Sequence, residues 1–156
     1  MHDFLEEGNT VAVKILIVDD FEEWRLRLRS FLGLIPGFRV VAEAANGLDA
    51  IDKATRLLPD IVLLDIRMPL LDGIEAARRI VRVSPKSGII FLTQDDDDDI
   101  RAAALDTGAA AFLLKSAFTC ELQQTIQSTV LNTSPFLSRT STYPSDARQE
   151  GIRDQR

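Results

Sequence analysis

Five polar side chains stand where short apolar runs stop. Lys14–Val18 ends in Asp19-Asp20, Asp60–Leu64 ends in Asp65, Gly88–Leu92 ends in Thr93, and Ala110–Leu114 ends in Lys115. Runs this short and apolar read as strands buried on both faces, as in a parallel sheet. Ligands of open parallel sheets sit outside the carboxyl ends of the strands. Three carboxylates brought to one edge repel each other, and a hard cation such as Mg²⁺ resolves that repulsion. With the charge neutralised, Asp65 is a competent nucleophile toward a phosphoryl donor. The product is an aspartyl phosphate. A hydroxyl at Thr93 and an ammonium at Lys115 would take the remaining phosphoryl oxygens. Each residue alone has a plainer reading. Asp19-Asp20, Asp65 and Thr93 could cap the segments that follow, and Lys115 could be a solvated charge. The set, delivered at successive strand ends, favours phosphoryl chemistry.

The elements that must position these groups alternate along the chain. After the first strand, Phe21–Leu34 carries Phe21, Trp24, Leu28, Phe31 and Leu32 at helical spacing, and Pro36-Gly37 stops it. Arg39–Ala44 gives the second strand. Asn46-Gly47 turns into Leu48–Leu58, where Leu48, Ile51, Ala54 and Leu58 form the expected inward face. Pro59 ends that helix before the third strand. Gly73–Val83 is the next helix, Asp95–Thr107 the one after, with Gly108 as its cap. Phe118–Leu131 is the last. This alternation implies an α/β fold with one doubly wound, five-stranded parallel sheet and helices on both faces. Right-handed crossovers and strand count favour the flavodoxin-like order 2-1-3-4-5, which makes the first, third and fourth strands central neighbours. Residues 1–12 read as a leader, 13–131 as the domain, and 132–156, rich in Ser, Thr and Pro, as a flexible tail.

Composition narrows the function. The 156 residues carry a net charge of −6, which disfavours sequence-independent nucleic-acid binding and docking on anionic membranes. No apolar stretch reaches the length of a membrane span. The acidic amino terminus lacks the order of a signal peptide. Cys120 is the only cysteine and is expected to be buried or half-buried, and His2 is the only histidine. A histidine-based triad in the core and a Cys or multi-His metal site are thereby excluded. A cytoplasmic location is expected.

The runs Ile-Leu-Ile-Val-Asp-Asp, Asp-Ile-Val-Leu-Leu-Asp-Ile-Arg-Met-Pro-Leu-Leu-Asp-Gly, Phe-Leu-Thr and Gly-Ala-Ala-Ala-Phe-Leu-Leu-Lys resemble the receiver domain of bacterial two-component response regulators. The likeness covers roughly residues 13–131 and implies a CheY-like fold. It implies that Asp65 takes a phosphoryl group from a sensor histidine kinase, a phosphotransfer protein or a small acyl phosphate. It implies Mg²⁺ held by Asp20, Asp65 and the Arg67 carbonyl, with Asp19 helping through water. Thr93 and Lys115 would read the phosphoryl group, and Phe112 would be the aromatic that turns inward on switching. A downstream protein would read the face built from Asp95–Leu131, where a homodimer could also form. Such a protein accepts phosphate and catalyses its own phosphorylation and dephosphorylation, without being a turnover enzyme.

Several residues depart from the family pattern. Phe112 lacks the hydroxyl of the usual Tyr. Ser116 replaces the usual Pro after Lys115, so a trans bond or a strained site is expected. Gln94 stands where a small residue is usual and would narrow access to Asp65. Arg67 and Asp95 are expected to pair across the pocket mouth and hinder the hydrolytic water. Asp95–Asp99 reads as a solvated helix start, or as a docking surface for a basic partner or a weak second cation site. The pattern is closest to receivers fused to a LuxR/NarL-type helix-turn-helix domain, for which the last 25 or so residues are too few, so a stand-alone receiver without direct DNA binding is expected. A phosphorylation-independent interaction module is the competing reading. An aspartate-based phosphohydrolase lacks its Asp-x-Asp pattern here, and a flavin binder lacks its phosphate loop.

Overall fold

The computed structural model describes residues 11–133. The expected leader and tail, and His2, lie outside those residues except at positions 11, 12, 132 and 133. The elements in order are β1 (Val13–Val18), α1 (Glu22–Gly33), β2 (Phe38–Ala44), α2 (Gly47–Leu57), β3 (Ile61–Leu64), α3 (Gly73–Val83), β4 (Gly88–Thr93), α4 (Asp98–Leu105), β5 (Ala111–Leu114), a 3₁₀ turn (Lys115–Ala117) and α5 (Phe118–Thr133). The five strands form one sheet in the order β2-β1-β3-β4-β5, every pairing parallel.

Alternate residues of each strand point to opposite faces, and each face has its own core. Leu16, Val18, Val62, Leu64, Ile89 and Phe91 meet α2, α3 and α4 through Ala50, Ala54, Ala76, Ala77, Ile80 and Ala104. Ile15, Ile17, Ile61, Leu63, Ile90 and Leu92 meet α1 and α5 through Leu28, Leu32, Phe118, Leu122 and Ile126. Both faces of the central strands are thus dry, which is why their sequences are unbroken apolar runs and why their polar residues wait for the strand ends.

Five expectations are corrected. Leu48 and Leu58 do not face inward; they are exposed, and the buried face of α2 is Gly47, Ala50 and Ala54. Small residues are needed there because α2 packs closely on α3: a Cβ on Gly47 would lie 2.6 Å from the Leu71 carbonyl oxygen. Leu58 has left the helix at φ 46°. Phe21 is exposed because it is the N-cap of α1 and precedes the helical repeat. Cys120 is exposed because the buried stripe of α5 runs through Phe118, Leu122, Ile126 and Thr129, and position 120 points away from it. Helix α4 begins at Asp98, not Asp95. The Asp97 side chain accepts from the N–H groups of Asp99 (2.8 Å) and Ile100 (3.2 Å), so the cap is set there and Asp95 and Asp96 stay in the loop. The last helix runs two residues past its expected end, through Thr133. No peptide bond among the described residues is cis, Lys115–Ser116 included.

Candidate functional site

The carboxyl ends of β1, β3, β4 and β5 form one edge, and the polar residues collect there. Asp65 extends the β1–β3 ladder by one step, its N–H donating to the Val18 carbonyl at 3.0 Å. Its carboxylate accepts from the Ile66 N–H at 2.8 Å. The chain then loops through Met68-Pro69 and returns tightly. The Gly73 N–H donates to the Ile66 carbonyl at 2.7 Å, and a Cβ on Gly73 would fall 1.9 Å from the Asp65 carbonyl oxygen. Only glycine allows α3 to start against the backbone of Asp65.

Asp19 is held as firmly. Its N–H donates to the Ala44 carbonyl at 3.0 Å, and its carboxylate accepts from the Phe21 N–H at 2.9 Å. Arg25 on α1 donates to its carbonyl at 2.7 Å and to Glu43 at 3.0 Å. Burial pushes the Glu43 carboxyl up, but Arg29 and Arg25 more than offset this and hold it below its ordinary value. The caps of α1, α3 and α4 are Phe21, Asp72 and Asp97. None of the strand-end residues is therefore explained as a helix cap. Thr93 makes one local bond, accepting from the Asp95 N–H at 3.3 Å.

Lys115 is buried, so it is not a solvated charge. Its Nζ lies 2.6 Å from Asp19 Oδ2 and 3.4 Å from Asp65 Oδ2. Burial pushes the Asp65 carboxyl up to about 6, and the neighbouring Asp19 charge adds to this, while Lys115 and the Ile66 N–H pull it down. Carboxylate oxygens of Asp19, Asp20 and Asp65 lie within 4.8 Å of one another. Three carboxylates face one ammonium, all donors are hard oxygens, and Asp20 is open to solvent. That donor set fits Mg²⁺, which takes one or two carboxylates and keeps several waters.

A cavity of about 290 Å³ opens over this group, lined by Asp20, Phe21, Asp65, Arg67, Thr93, Gln94, Asp95 and Lys115. Exposed Gln94 lies at its rim. Arg67 Nε meets Asp95 Oδ2 at 2.7 Å across it, and the Asp95 carboxylate, by hydrogen bond and charge, raises the guanidinium above its ordinary range. Asp19 sits beneath the cavity and Phe112 outside it. Phe112 is buried in the α2–α4 side of the core, with the Arg101 guanidinium 4.6 Å from its ring centre.

Sequence reasoning did not single out Phe21 as a lining residue, Arg25 as the clamp on Asp19, Arg101 over Phe112, or Trp24, whose ring centre is 5.0 Å from Lys115 Nζ. Phe21 had a signal, since it directly follows the acidic pair. The others act across 6 to 91 positions of chain, beyond the reach of local periodicity.

A family model described as the response regulator receiver domain matches residues 15–127. The response regulator protein VraR of Staphylococcus saprophyticus is 35% identical over 126 residues, covering 81% of this chain and 60% of that protein. The protein-glutamate methylesterase/protein-glutamine glutaminase of Alkalilimnicola ehrlichii is 44% identical over 107 residues, 67% of this chain and 27% of that one. The chain thus spans less than two thirds of the length of these relatives. Among solved structures, the response regulator domain of Thermotoga maritima CheB is similar at a TM-score of 0.73 with 30% identity, covering 80% of this chain and 99% of that one.

Proposed function

We propose, from the premise that this chain belongs to the response regulator receiver domain family, that Asp65 is its phosphoacceptor. Phosphoryl transfer is the general work of that family, and a two-component system is its setting. The observation that carries the assignment is the Lys115 ammonium lying between the Asp19 and Asp65 carboxylates, 2.6 and 3.4 Å away, beneath a cavity that also admits Thr93.

In this reading Asp65 attacks the phosphorus of a phosphohistidine on a sensor kinase or phosphotransfer protein, or of a small acyl phosphate. The new bond is Asp65 O–P; the bond to the donor's nitrogen or oxygen breaks, and the donor keeps that electron pair. Asp20, Asp65 and the Arg67 carbonyl would hold Mg²⁺, Asp19 acting through water. The bound ion supplies charge neutralisation at the transferring group. The Lys115 ammonium leaves Asp19 for a phosphoryl oxygen, and the Thr93 hydroxyl donates to another. Movement of Thr93 and Phe112 then shifts a population between two states. A protein partner reads the face from Asp95 to Leu131, where a homodimer could also form. The cytoplasm is the proposed setting of this chemistry.

The Arg67–Asp95 pair and Gln94 are proposed as the gate on hydrolysis. Mass spectrometry after exposure to acetyl phosphate and Mg²⁺ tests the whole reading. One phosphoryl group is expected on the wild type and none on Asp65→Ala. No gain on the wild type would favour an interaction module that works without phosphorylation. The gate predicts faster dephosphorylation in Arg67→Ala and Asp95→Ala; unchanged rates in both remove it.

A further inference from the structure

Lys115 is surrounded on more than its carboxylate side. An ammonium has three N–H donors. Those of Lys115 face Asp19 at 2.6 Å and Asp65 at 3.4 Å, and the described residues offer it no third hydrogen-bond acceptor. Instead the Trp24 ring centre lies 5.0 Å from Nζ. That is within range for attraction between a cation and the negative face of an indole, which strengthens when the cation is out of water. Lys115 is only 9% exposed.

The indole is itself braced. Phe118 meets it edge to face, centres 5.0 Å apart at 71°, and Phe31 meets Phe118 in the same way at 5.2 Å. The Arg27 guanidinium lies 5.1 Å from the Trp24 ring centre. Trp24 Nε1 is buried with no hydrogen-bond partner among the described residues. A tryptophan placed for its N–H would have one. The ring is held by its faces and edges, and Phe21, Glu23, Trp24, Arg27, Gln94 and Lys115 line a second hollow of about 280 Å³ beside the Asp65 cavity.

We propose that Trp24 is a positioning residue for phosphoryl transfer, its indole holding the Lys115 ammonium in the narrow zone where it can pass from Asp19 to a phosphoryl oxygen. The proposal rests on Asp65 being the phosphoacceptor. Without the ring the ammonium is free to tilt toward the second hollow, and it then meets the transferring group late. Trp24 is also the chain's single tryptophan, so its emission reports the position of that ammonium.

The test follows phosphorylation by acetyl phosphate with Mg²⁺ in the wild type, Trp24→Phe and Trp24→Leu. Trp24→Leu should lower the maximal rate about tenfold, the loss of one desolvated cation–π contact. The half-saturating acetyl phosphate concentration should stay as it was. Trp24→Phe keeps a ring face and should recover part of the rate. In parallel, Lys115→Met should change the resting emission of Trp24 and abolish its response to Mg²⁺ with beryllofluoride. A Trp24→Leu protein that folds and is phosphorylated at the wild-type rate overturns the proposal and leaves the Asp65 assignment standing. So does a Lys115→Met protein with wild-type emission. Should Trp24→Leu fail to fold, a Trp24→Phe rate no better than that of Lys115→Met overturns it too. Absence of phosphorylation in the wild type overturns both.

Discussion

Helices α3 and α4 each follow a strand that delivers a site residue, Asp65 or Thr93, each begins under an aspartate cap, and both lie on the same side of the sheet. There the likeness ends. α3 buries Gly73, Ala76, Ala77 and Ile80, and its first residue touches the Asp65 backbone. α4 is three residues shorter and buries Ala104 alone, and the loop joining it to Thr93 is mostly exposed. Low burial and exposed connections mark segments that open and shift at small cost. Asp65, the proposed acceptor, is thus set in the packed half of the molecule and the Thr93 hydroxyl at the border of the loose half. Phe112 belongs to the same border, tied to α4 by the Arg101 guanidinium over its ring.

Glycine replacements put the widest gap between the halves. Gly73→Ala forces a methyl group into the Asp65 carbonyl and should cost about 3 kcal/mol or more of stability, with phosphorylation lost. Gly108→Ala, just after α4, meets no atom within 4 Å but inherits φ 99°, and should cost about 1–2 kcal/mol. Urea denaturation of the pair measures this; equal losses would break the contrast.

A smaller effect tests the electrostatics of the packed half. In metal-free protein Asp65 titrates near 6 when folded against an ordinary 3.8. Between those values the folded chain keeps a proton that the unfolded chain has lost, so stability falls as pH rises through the window and stays lower above it. Asp65→Asn removes this penalty. It should gain about 3 kcal/mol near neutrality, and the gain should vanish below about pH 4. A gain that does not depend on pH would point to packing instead of charge.

The caps should show the smallest difference. Asp72 accepts from the Glu75 N–H at 3.0 Å, and Asp97 accepts from two N–H groups. Alanine at either position should cost about 1 kcal/mol. A much larger loss at Asp97 would mean that α4 depends on its cap for the anchorage α3 draws from packing.

What could be read in advance followed the physics of each element. The dry central strands, their polar terminal residues and the helix Gly73–Val83 were legible because burial on two faces or one leaves a period in the sequence. The observed strand order is the one that alternation and handedness favour. Leu48 and Leu58 mislead because apolar character is no guide to burial where close helix packing demands Gly47, Ala50 and Ala54. Cys120 misled because one small residue carries no phase. The run Asp95–Asp99 looked uniform, yet Asp97 alone captures the free N–H groups. Trp24 was visible as part of an apolar stripe, but its meeting with Lys115 depends on how α1 lies across the sheet, which no local pattern encodes.

The Arg67–Asp95 bridge lies at the protein surface. Its guanidinium side is 70% exposed, so mobile ions reach it freely. At an ionic strength of about 0.1 M charges are screened over roughly 10 Å, and at 1 M over about 3 Å. A pair this open loosens as salt rises, whereas the buried Lys115 contacts do not. If the bridge retards the hydrolytic water as proposed, the lifetime of the phosphorylated form shortens in concentrated salt while the equilibrium unfolding of the domain barely responds. The duration of the signal would then follow the ionic strength around the protein.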